Sequence, residues 1–229
     1  MATSDASWPL PRPFDLRRTA LVIIDMQVDF CAPGGWVDQL GEDVSNTRAV
    51  IGPISEALAD ARAAGMLVVH TREGHRPDLA DLPLNKQWRT RVHGLGIGDM
   101  GATGRILVQG EPGWQIIPEL APLPGEIIID KPGKSSFHST DLEAQLRALD
   151  IDCLVVTGVT SDCCVQSTIR DGFERGFDCV LLADCTAAVE TENHLATLDI
   201  LSAFGGRWGK VSDRYAFRQA VFNGGAGPA

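Results

Sequence analysis

The most informative stretch of the sequence is CLVVTGVTSDCCV, residues 153–165. Its first seven residues are mostly apolar and β-branched, which predicts a strand buried on both faces of a parallel sheet. A tight turn that contains Gly158 follows, and Asp162 is a candidate N-cap for a helix over residues 162–175. A strand that leads through a short turn into a helix is the unit from which parallel α/β sheets are built.

The same alternation of strands and helices recurs along the chain. Apolar runs predict further strands at residues 19–25, 66–71, 126–130 and 179–184, with a weaker one near 210–212. Helices are predicted over residues 47–64, 141–149, 190–204 and 213–222. This alternation predicts an α/β fold class: a single-domain, three-layer α/β/α fold with a mainly parallel sheet.

The chain of 229 residues has a length typical of one such domain. We expect residues 1–18, which are polar and rich in proline, to form an N-terminal arm, and residues 19–229 to form the domain. Residues 72–125 are rich in Gly, Pro and Asp and show little periodicity. We interpret them as a lid or pocket wall with a short ordered piece at residues 105–109.

Composition excludes several classes of protein. The net charge of -10 argues against a nucleic-acid surface, which needs a basic face. No apolar run approaches the roughly 18–20 residues that span a bilayer, and the N-terminus lacks a secretory signal. We therefore expect a cytoplasmic protein without nucleic-acid or membrane partners. Its six cysteines are then expected to be thiols, and their spacing does not suggest a metal site.

Charged and nucleophilic residues fall at the carboxyl ends of the predicted strands, where open α/β sheets bind their ligands. These residues are Asp25, Asp130-Lys131, Val159–Cys164 and Asp184. Each has a plainer interpretation, since an acid at a strand end can cap a helix or join an ion pair. Lys131 could equally be a surface lysine, and spacing alone does not exclude Lys134 in its place.

A cysteine in the first turn of the helix after residue 160 lies near unpaired backbone N–H groups. These groups and the helix dipole favour a thiolate and could also hold an oxyanion. A buried cysteine can instead be an inert apolar residue, and His70 or His75 would allow a Cys–His pair. The usual signatures of serine hydrolases, P-loop NTPases and dinucleotide-binding proteins do not occur.

Three blocks of the sequence resemble the signature blocks of the isochorismatase-like cysteine hydrolases. They are residues 23–30, 131–137 and 157–165, they occur in the family's order, and the likeness begins at about residue 17. The resemblance implies that Asp25 accepts the proton of the thiol. It also selects Lys131 over Lys134 as the catalytic lysine, and Cys164 over Cys163 as the nucleophile.

The resemblance carries further implications for the site. It implies a cis peptide bond between Val159 and Thr160, with the N–H groups of Thr160 and Cys164 forming an oxyanion hole. It also implies that the enzyme needs no cofactor or metal and forms a homo-oligomer, commonly a tetramer. Isochorismatases proper lack the cysteine, so Cys164 favours the amidohydrolase branch of the family. Residues 71–83 do not supply the Asp/His metal cluster of the nicotinamidase branch.

Residues 71–83, 110–114 and 130–134 resemble the biuret and triuret hydrolase branch of this family. We therefore expect cofactor-free hydrolysis of a terminal C–N bond of biuret or triuret, with release of ammonia and a Cys164 thioester intermediate. One departure is Phe204, which stands before Gly205-Gly206 where biuret hydrolase has a glutamine. The residues expected to contact this small urea-like substrate are Phe30 and Val159, with Glu73, Lys134 and Phe204 near its distal end.

Two alternatives remain open at this point. One is a related carbamoyl amidohydrolase of the ureidoacrylate or N-carbamoylsarcosine type. The other is a non-enzymatic redox or binding protein that uses the vicinal thiols Cys163 and Cys164.

Overall fold

Parallel strands form the central sheet of the computed structural model, which describes residues 8–223. The strands are, in chain order, β1 (Thr19–Ile24), β2 (Leu67–Glu73), β3 (Met100–Gly101), β4 (Gly104–Arg105), β5 (Ile127–Lys131), β6 (Cys153–Val159), β7 (Asp178–Ala187) and β8 (Lys210–Ser212). Strands β3 and β4 form a separate antiparallel ribbon. The other six lie in the order β5-β2-β1-β6-β7-β8, and all neighbouring pairs are parallel.

Helices cover both faces of this sheet. Within the described residues the α-helices are α1 (Val28–Cys31), α2 (Trp36–Gln39), α3 (Ser45–Ala49), α4 (Ile51–Ala63), α5 (Leu84–Thr90), α6 (Leu142–Ala148), α7 (Gln166–Glu174), α8 (Thr191–Gly206) and α9 (Arg214–Asn223). Short 3-10 helices occupy Leu16–Arg18 and Pro118–Leu120, and a π-helix occupies Ser161–Val165.

Side chains of β1 alternate between two hydrophobic cores. Leu21 and Ile23 belong to the core shared with α4 and α9, whereas Val22 and Ile24 belong to the core shared with α6 and α7. Both faces of the strand are therefore buried, as its continuous apolar sequence predicts. The predicted three-layer fold with a mainly parallel sheet is confirmed.

Strand order creates a crevice at the centre of the sheet. From β1 the chain proceeds outward to β2 and β5, whereas from β6 it proceeds in the opposite direction to β7 and β8. Open α/β sheets bind ligands at this kind of reversal, beside the carboxyl ends of the two central strands. Asp25 directly follows β1, and the π-helix that contains Cys164 follows β6. The topology therefore brings these two residues to one crevice.

Some strands run further than the sequence predicts. Strand β2 reaches Glu73, where it pairs with Lys131 at the end of β5. Strand β7 continues to Ala187, so the prediction that Asp184 ends a strand is wrong. The Asp184 carboxylate accepts a hydrogen bond from the Arg214 N–H at 2.9 Å, away from the crevice. Polar residues at a strand end resemble a loop in sequence, although the ladder hydrogen bonds continue through them.

Two predicted helices also differ from the structure. The helix predicted over residues 47–64 is divided at Val50 into α3 and α4. Helix α8 extends past its predicted end, and its last turn is interrupted by non-helical backbone angles at Ala203, Phe204 and Gly205.

The irregular stretch 72–125 is ordered and fastened to the core. The buried carboxylate of Asp29 accepts hydrogen bonds from the Leu107 N–H and the Thr103 hydroxyl, both at 3.0 Å. Val108 forms an isolated bridge with His75, which agrees with the ordered piece predicted at residues 105–109. The same stretch contains α5 and the β3–β4 ribbon, neither of which the sequence pattern indicates.

The ends of the chain are described only in part. Residues 1–7 of the predicted arm and residues 224–229 of the predicted domain lie outside the described residues. From Trp8 onward the arm lies on the fold: Phe14 is buried in the core, and Arg12 pairs with Asp152 and Asp178. No helix of residues 8–223 combines the length and apolarity that crossing a bilayer requires.

Gly158 provides a test of how closely β1 and β6 approach each other. Its φ of +103° suits glycine, and a Cβ there would lie 2.1 Å from the Ile24 carbonyl oxygen. We expect Gly158→Ala to lower the free energy of unfolding by about 2–4 kcal/mol, measured by urea denaturation.

Gly52→Ala is the matched control for this substitution. Gly52 lies in α4 with no atom within 4 Å of an added Cβ, so this change should raise stability by about 0.5–1 kcal/mol. Equal stabilities of the two variants would contradict the close approach.

Candidate active site

Four charged or nucleophilic side chains meet in the central crevice and are buried there. They are Asp25 after β1, Glu73 at the end of β2, Lys131 at the end of β5 and Cys164 in the π-helix. The first three are fully buried, and Cys164 is 4% exposed. Sequence reasoning names all four, but it does not predict that Glu73 joins the other three.

Lys131 and Asp25 form an ion pair with a nitrogen–oxygen distance of 2.7 Å. The Lys131 ammonium also donates to the carbonyl oxygens of Gly133 and Lys134, at 2.9 and 3.1 Å. The hydroxyl of Thr71 donates to the other Asp25 oxygen at 2.6 Å. Each partner is thus held by the backbone or by a neighbouring strand, which fixes the geometry of the pair.

The charge of Lys131 is maintained by its surroundings. Burial alone would lower the pKa of this ammonium group, but the negative charges of its neighbours, chiefly Asp25, outweigh that effect and raise it. The site therefore keeps a permanent positive charge beside the sulfur atom.

Cys164 is the fourth residue of the π-helix, whose N-cap is Thr160 and not Asp162 as predicted. Its thiol donates to a Glu73 carboxylate oxygen at a sulfur–oxygen distance of 3.3 Å. The sulfur and one oxygen each of Asp25 and Glu73 all lie within 4.8 Å of one another. The nucleophile predicted from sequence therefore has a carboxylate on either side.

The helix N-terminus favours a thiolate at Cys164, but the other neighbours of the thiol have the opposite effect. Its hydrogen bond with Cys163, its burial and the negative charges of Asp25 and Glu73 raise the pKa of the thiol well above its ordinary value. Lys131 opposes this shift without reversing it. Cys164 therefore carries its proton at rest, and a base would have to remove that proton before the sulfur could act as a nucleophile.

Glu73 is held by further lysines. Lys86 of α5 lies 2.6 Å from its carboxylate, and Lys134 lies 3.0 Å away. Burial alone would raise the pKa of Glu73, but Lys134, Lys131 and Lys86 outweigh it and hold that pKa far below the ordinary range. Glu73 is consequently a fixed anion that binds protons weakly.

Gln27 fixes the position of Glu73. Its side-chain oxygen accepts from the Glu73 N–H at 2.7 Å, and its amide nitrogen donates to the carbonyl oxygens of Glu73 and Trp114, at 3.0 and 2.9 Å. This gives a physical reason for the glutamine that stands two residues after Asp25.

The oxygens and sulfur of Asp25, Glu73 and Cys164 have the spacing of a metal site. Lys131, however, places its ammonium group 2.7 Å from Asp25 and 4.0 Å from Glu73. A metal ion bound by these three residues would have to share that place with a buried positive charge. The donor set does not fit a metal.

The other predicted site residues have different surroundings from Asp25, Lys131 and Cys164. Phe30 and Val159 are buried in one core, and the peptide bond between Val159 and Thr160 is cis, as the resemblance implies. Lys134 contacts Glu73 and not the sulfur. Glu73 was assigned to the distal end of the substrate, but its carboxylate lies beside the nucleophile.

The structure does not bring Phe204 to the crevice. Helix α8 begins near the site, where His194 contacts the Ser161 hydroxyl at 3.2 Å, and runs back toward the opposite end of the sheet. Nine residues of helix separate His194 from the kink, a distance of about 14 Å. The Phe204 side chain is 85% exposed. The prediction that Phe204 lines the pocket of its own chain is therefore wrong.

The two histidines considered as partners for a cysteine have other contacts. His70 lies 2.9 Å from Glu126, and His75 lies 3.4 Å from Asp81. Both are buried, and among the described residues the thiol of Cys164 contacts a carboxylate instead.

Three supporting residues were not identified from the sequence. Thr71 and Gln27 could have been found from the sequence. Thr71 is the last residue of the strand predicted at residues 66–71, and Gln27 stands two residues after the strand predicted at residues 19–25. Lys86 lies in an irregular stretch, and no pattern in the sequence distinguishes it from a surface lysine.

Removing Lys131 should destabilise the protein as well as stop any reaction at the site. Lys131→Met leaves the buried Asp25 carboxylate without its cation, which should lower the free energy of unfolding by about 3–5 kcal/mol. Adding Asp25→Asn to Lys131→Met should restore part of the lost free energy of unfolding, because it removes the unpaired carboxylate charge. Urea unfolding of both variants tests this, and a Lys131→Met protein as stable as the wild type would contradict it.

Alkylation of Cys164 by iodoacetamide should report the raised pKa of the thiol. The reactive form is the thiolate, so the wild-type rate should continue to rise above pH 8. Asp25→Asn removes a neighbouring negative charge, lowers the thiol pKa and should increase the rate at pH 7.5 by roughly tenfold per pKa unit. Quantitative peptide mass spectrometry measures the rate. Asp184→Asn, outside the crevice, is the control, and equal acceleration in both variants would contradict the assignment.

Comparison with known proteins agrees with this geometry. Residues 19–212 match the family model of the isochorismatase domain. Ureidoacrylate amidohydrolases of Methylobacterium radiotolerans and Methylorubrum extorquens are 36% and 37% identical to this chain. The alignments cover 93% of this chain and 83% and 86% of those proteins.

A solved structure shows the same fold. The cysteine hydrolase of Pseudomonas syringae pv. phaseolicola superposes with a TM-score of 0.80 at 28% identity, covering 94% of this chain and 97% of that one. The family match, the relatives and the buried cysteine site support one conclusion: this chain belongs to the isochorismatase family and is an amidohydrolase.

Proposed function

We propose that this amidohydrolase cleaves the terminal C–N bond of a small ureido compound and releases ammonia. The observation that carries the proposal is the arrangement around Cys164. Its sulfur lies within 4.8 Å of an Asp25 carboxylate oxygen, and Asp25 is paired with Lys131. A nucleophile, a base and a permanent cation in one buried crevice are what covalent amide hydrolysis requires.

In the proposed reaction Asp25 takes the thiol proton as the sulfur attacks the ureido carbonyl carbon. The N–H groups of Thr160 and Cys164 hold the developing oxyanion. Protonated Asp25 then gives its proton to the departing nitrogen, which leaves as ammonia. A water molecule, deprotonated by Asp25, hydrolyses the remaining thioester and regenerates the thiol.

Asp25 suits the role of base better than Glu73 does. Glu73 contacts Lys86 and Lys134, with Lys131 at 4.0 Å, and the resulting low pKa makes it a weak proton acceptor. A fixed anion beside the sulfur suits a different task, which is to accept hydrogen bonds from the N–H groups of the ureido substrate.

The relatives favour a substrate of the ureidoacrylate type. Curated proteins named ureidoacrylate amidohydrolase are 36–37% identical over nearly the whole chain. The substrate named there carries a ureido group at one end, which is the group that the proposed mechanism attacks.

A second candidate is an uncharged urea oligomer such as biuret or triuret, because residues 71–83, 110–114 and 130–134 resemble that branch of the family. The ammonium groups of Lys86, Lys131 and Lys134 face the carboxylates of Asp25 and Glu73, which leaves one positive charge in excess. Transfer of the thiol proton to Asp25 leaves this total charge unchanged, so the excess supports the carboxylate-bearing candidate and the resemblance supports the uncharged one.

A panel of amides measures the function directly. Ureidoacrylate, N-carbamoylsarcosine, biuret and triuret would each be incubated with purified protein, and the rate of ammonia release would be recorded. We expect release from at least one compound, and a loss of about a thousandfold or more in Cys164→Ser.

Cys163→Ser is the matched control for the neighbouring thiol and should retain activity. Normal turnover by Cys164→Ser would overturn the proposed mechanism. The redox or binding alternative would be favoured by two results together. No amide would yield ammonia, and each cysteine variant would lose a thiol reaction that the wild-type protein shows.

The assembly and location of the enzyme remain proposals. We propose a cytoplasmic homo-oligomer, a tetramer by family resemblance, and light scattering of the purified protein would measure its mass.

A further inference from the structure

The charged groups of the central crevice are buried, and a cleft ends close to them. The cleft has a volume of about 590 Å³, and its lining includes Lys86, Pro132, Gly133 and Lys134. Within residues 8–223, the lining of this cleft includes none of the buried groups Asp25, Glu73 and Cys164. Lys86 and Lys134, which contact Glu73, therefore stand between the cleft and the sulfur.

Lys86 closes this boundary from α5. Its ammonium group lies 2.6 Å from the Glu73 carboxylate and donates to the Pro132 carbonyl oxygen at 2.7 Å. Glu73 in turn lies 3.3 Å from the Cys164 sulfur. Lys86 in the cleft wall is thus connected to the Cys164 sulfur through the Glu73 carboxylate.

Helix α5 has few other attachments to the protein. None of its seven residues is buried. Leu84 and Trp88 on its outer side are 64% and 68% exposed. Among the described residues, its remaining side-chain hydrogen bond beyond its own turns is a long one, 3.3 Å from the Ile97 N–H to the Thr90 hydroxyl. Segments with little buried surface open at low free-energy cost.

The flanks of α5 allow it to move as a unit. Pro83 precedes the helix, and Gly94 follows it with a φ of +110° and no atom within 4 Å of an added Cβ. Lids usually pivot on a few loop residues of this kind.

We propose that α5 is a lid over the active site and that Lys86 is the positioning residue that holds it closed and fixes Glu73 beside Cys164. Release of Lys86 from Glu73 and Pro132 opens the path from the cleft to the sulfur. Its return excludes water and restores the fixed anion next to the reacting carbonyl. The inference rests on the proposed function only for its activity measurements.

Lys86→Met tests the lid without any substrate. We expect amide hydrogen exchange in residues 84–90 to become roughly tenfold faster, as loss of a contact worth about 1.4 kcal/mol implies. Alkylation of Cys164 by iodoacetamide should also accelerate. At pH 8, where a carboxylate of ordinary pKa stays ionised, loss of a nearby cation disfavours the thiolate and would slow alkylation, so a faster reaction reports access.

Arg89→Met is the matched control, because it removes a cation from the same helix that lines the same cleft without contacting Glu73. It should leave both rates unchanged. The lid proposal is wrong if Lys86→Met leaves the exchange and alkylation rates at wild-type values, or if Arg89→Met raises both rates equally.

Activity measurements then test the positioning role. Without Lys86 the pKa of Glu73 rises toward its ordinary value, so the acid limb of the pH profile of ammonia release should move to higher pH. Lys86→Arg should restore the wild-type profile, and an unshifted profile in Lys86→Met would overturn the role. A wild-type protein that releases no ammonia from any amide would refute the proposed function, whereas the exchange and alkylation results would still decide the lid.

Discussion

The buried ion pair between Lys131 and Asp25 is the interaction on which the rest of the site depends. Two charges removed from water stabilise a protein only if each remains fully paired. Here backbone carbonyls and the Thr71 hydroxyl complete the pairing at distances of 2.6–3.1 Å. The pair joins the carboxyl ends of β1 and β5, which lie on either side of β2. The Cys164 sulfur lies within 4.8 Å of the Asp25 carboxylate.

The neighbourhood of the sulfur explains why two carboxylates do not have the same role. Asp25 contacts a single ammonium group, whereas Glu73 contacts two and lies near a third. The three ammonium groups around Glu73 hold its pKa far below the ordinary range and keep it a fixed anion. The resting thiol fits this arrangement, since the carboxylates of Asp25 and Glu73 already lie within 4.8 Å of the sulfur and raise its pKa.

The sequence was sufficient to predict the fold and much of the site because both depend on short, local patterns. Short apolar runs rich in β-branched residues, such as residues 19–25, indicate buried strands, and the carboxyl ends of parallel strands meet at one edge of the sheet. The position of Glu73 beside Cys164 was not predicted because two polar residues, Arg72 and Glu73, conceal the last residue pairs of the β2 ladder. Phe204 was misplaced because its distance from the site depends on the length and direction of α8.

Lys86 shows a different limit of sequence reasoning. Its contact with Glu73 depends on the path of an irregular segment between β2 and β5, and that path is set by tertiary contacts such as those of Asp29. A pattern of residue types contains no information about such a path. Buried contacts of irregular segments must therefore be read from coordinates.

The attachment of residues 72–125 has a consequence for how this enzyme can diverge. The buried groups of the active site stand on strand ends and the π-helix, whereas part of the cleft wall belongs to an irregular segment fastened through Asp29. Substitutions or length changes between the end of β2 and Thr103, where the cleft residues of this segment lie, can alter which molecules are accepted while the buried groups stay in place. Selectivity and chemistry are therefore inherited through separate parts of one polypeptide.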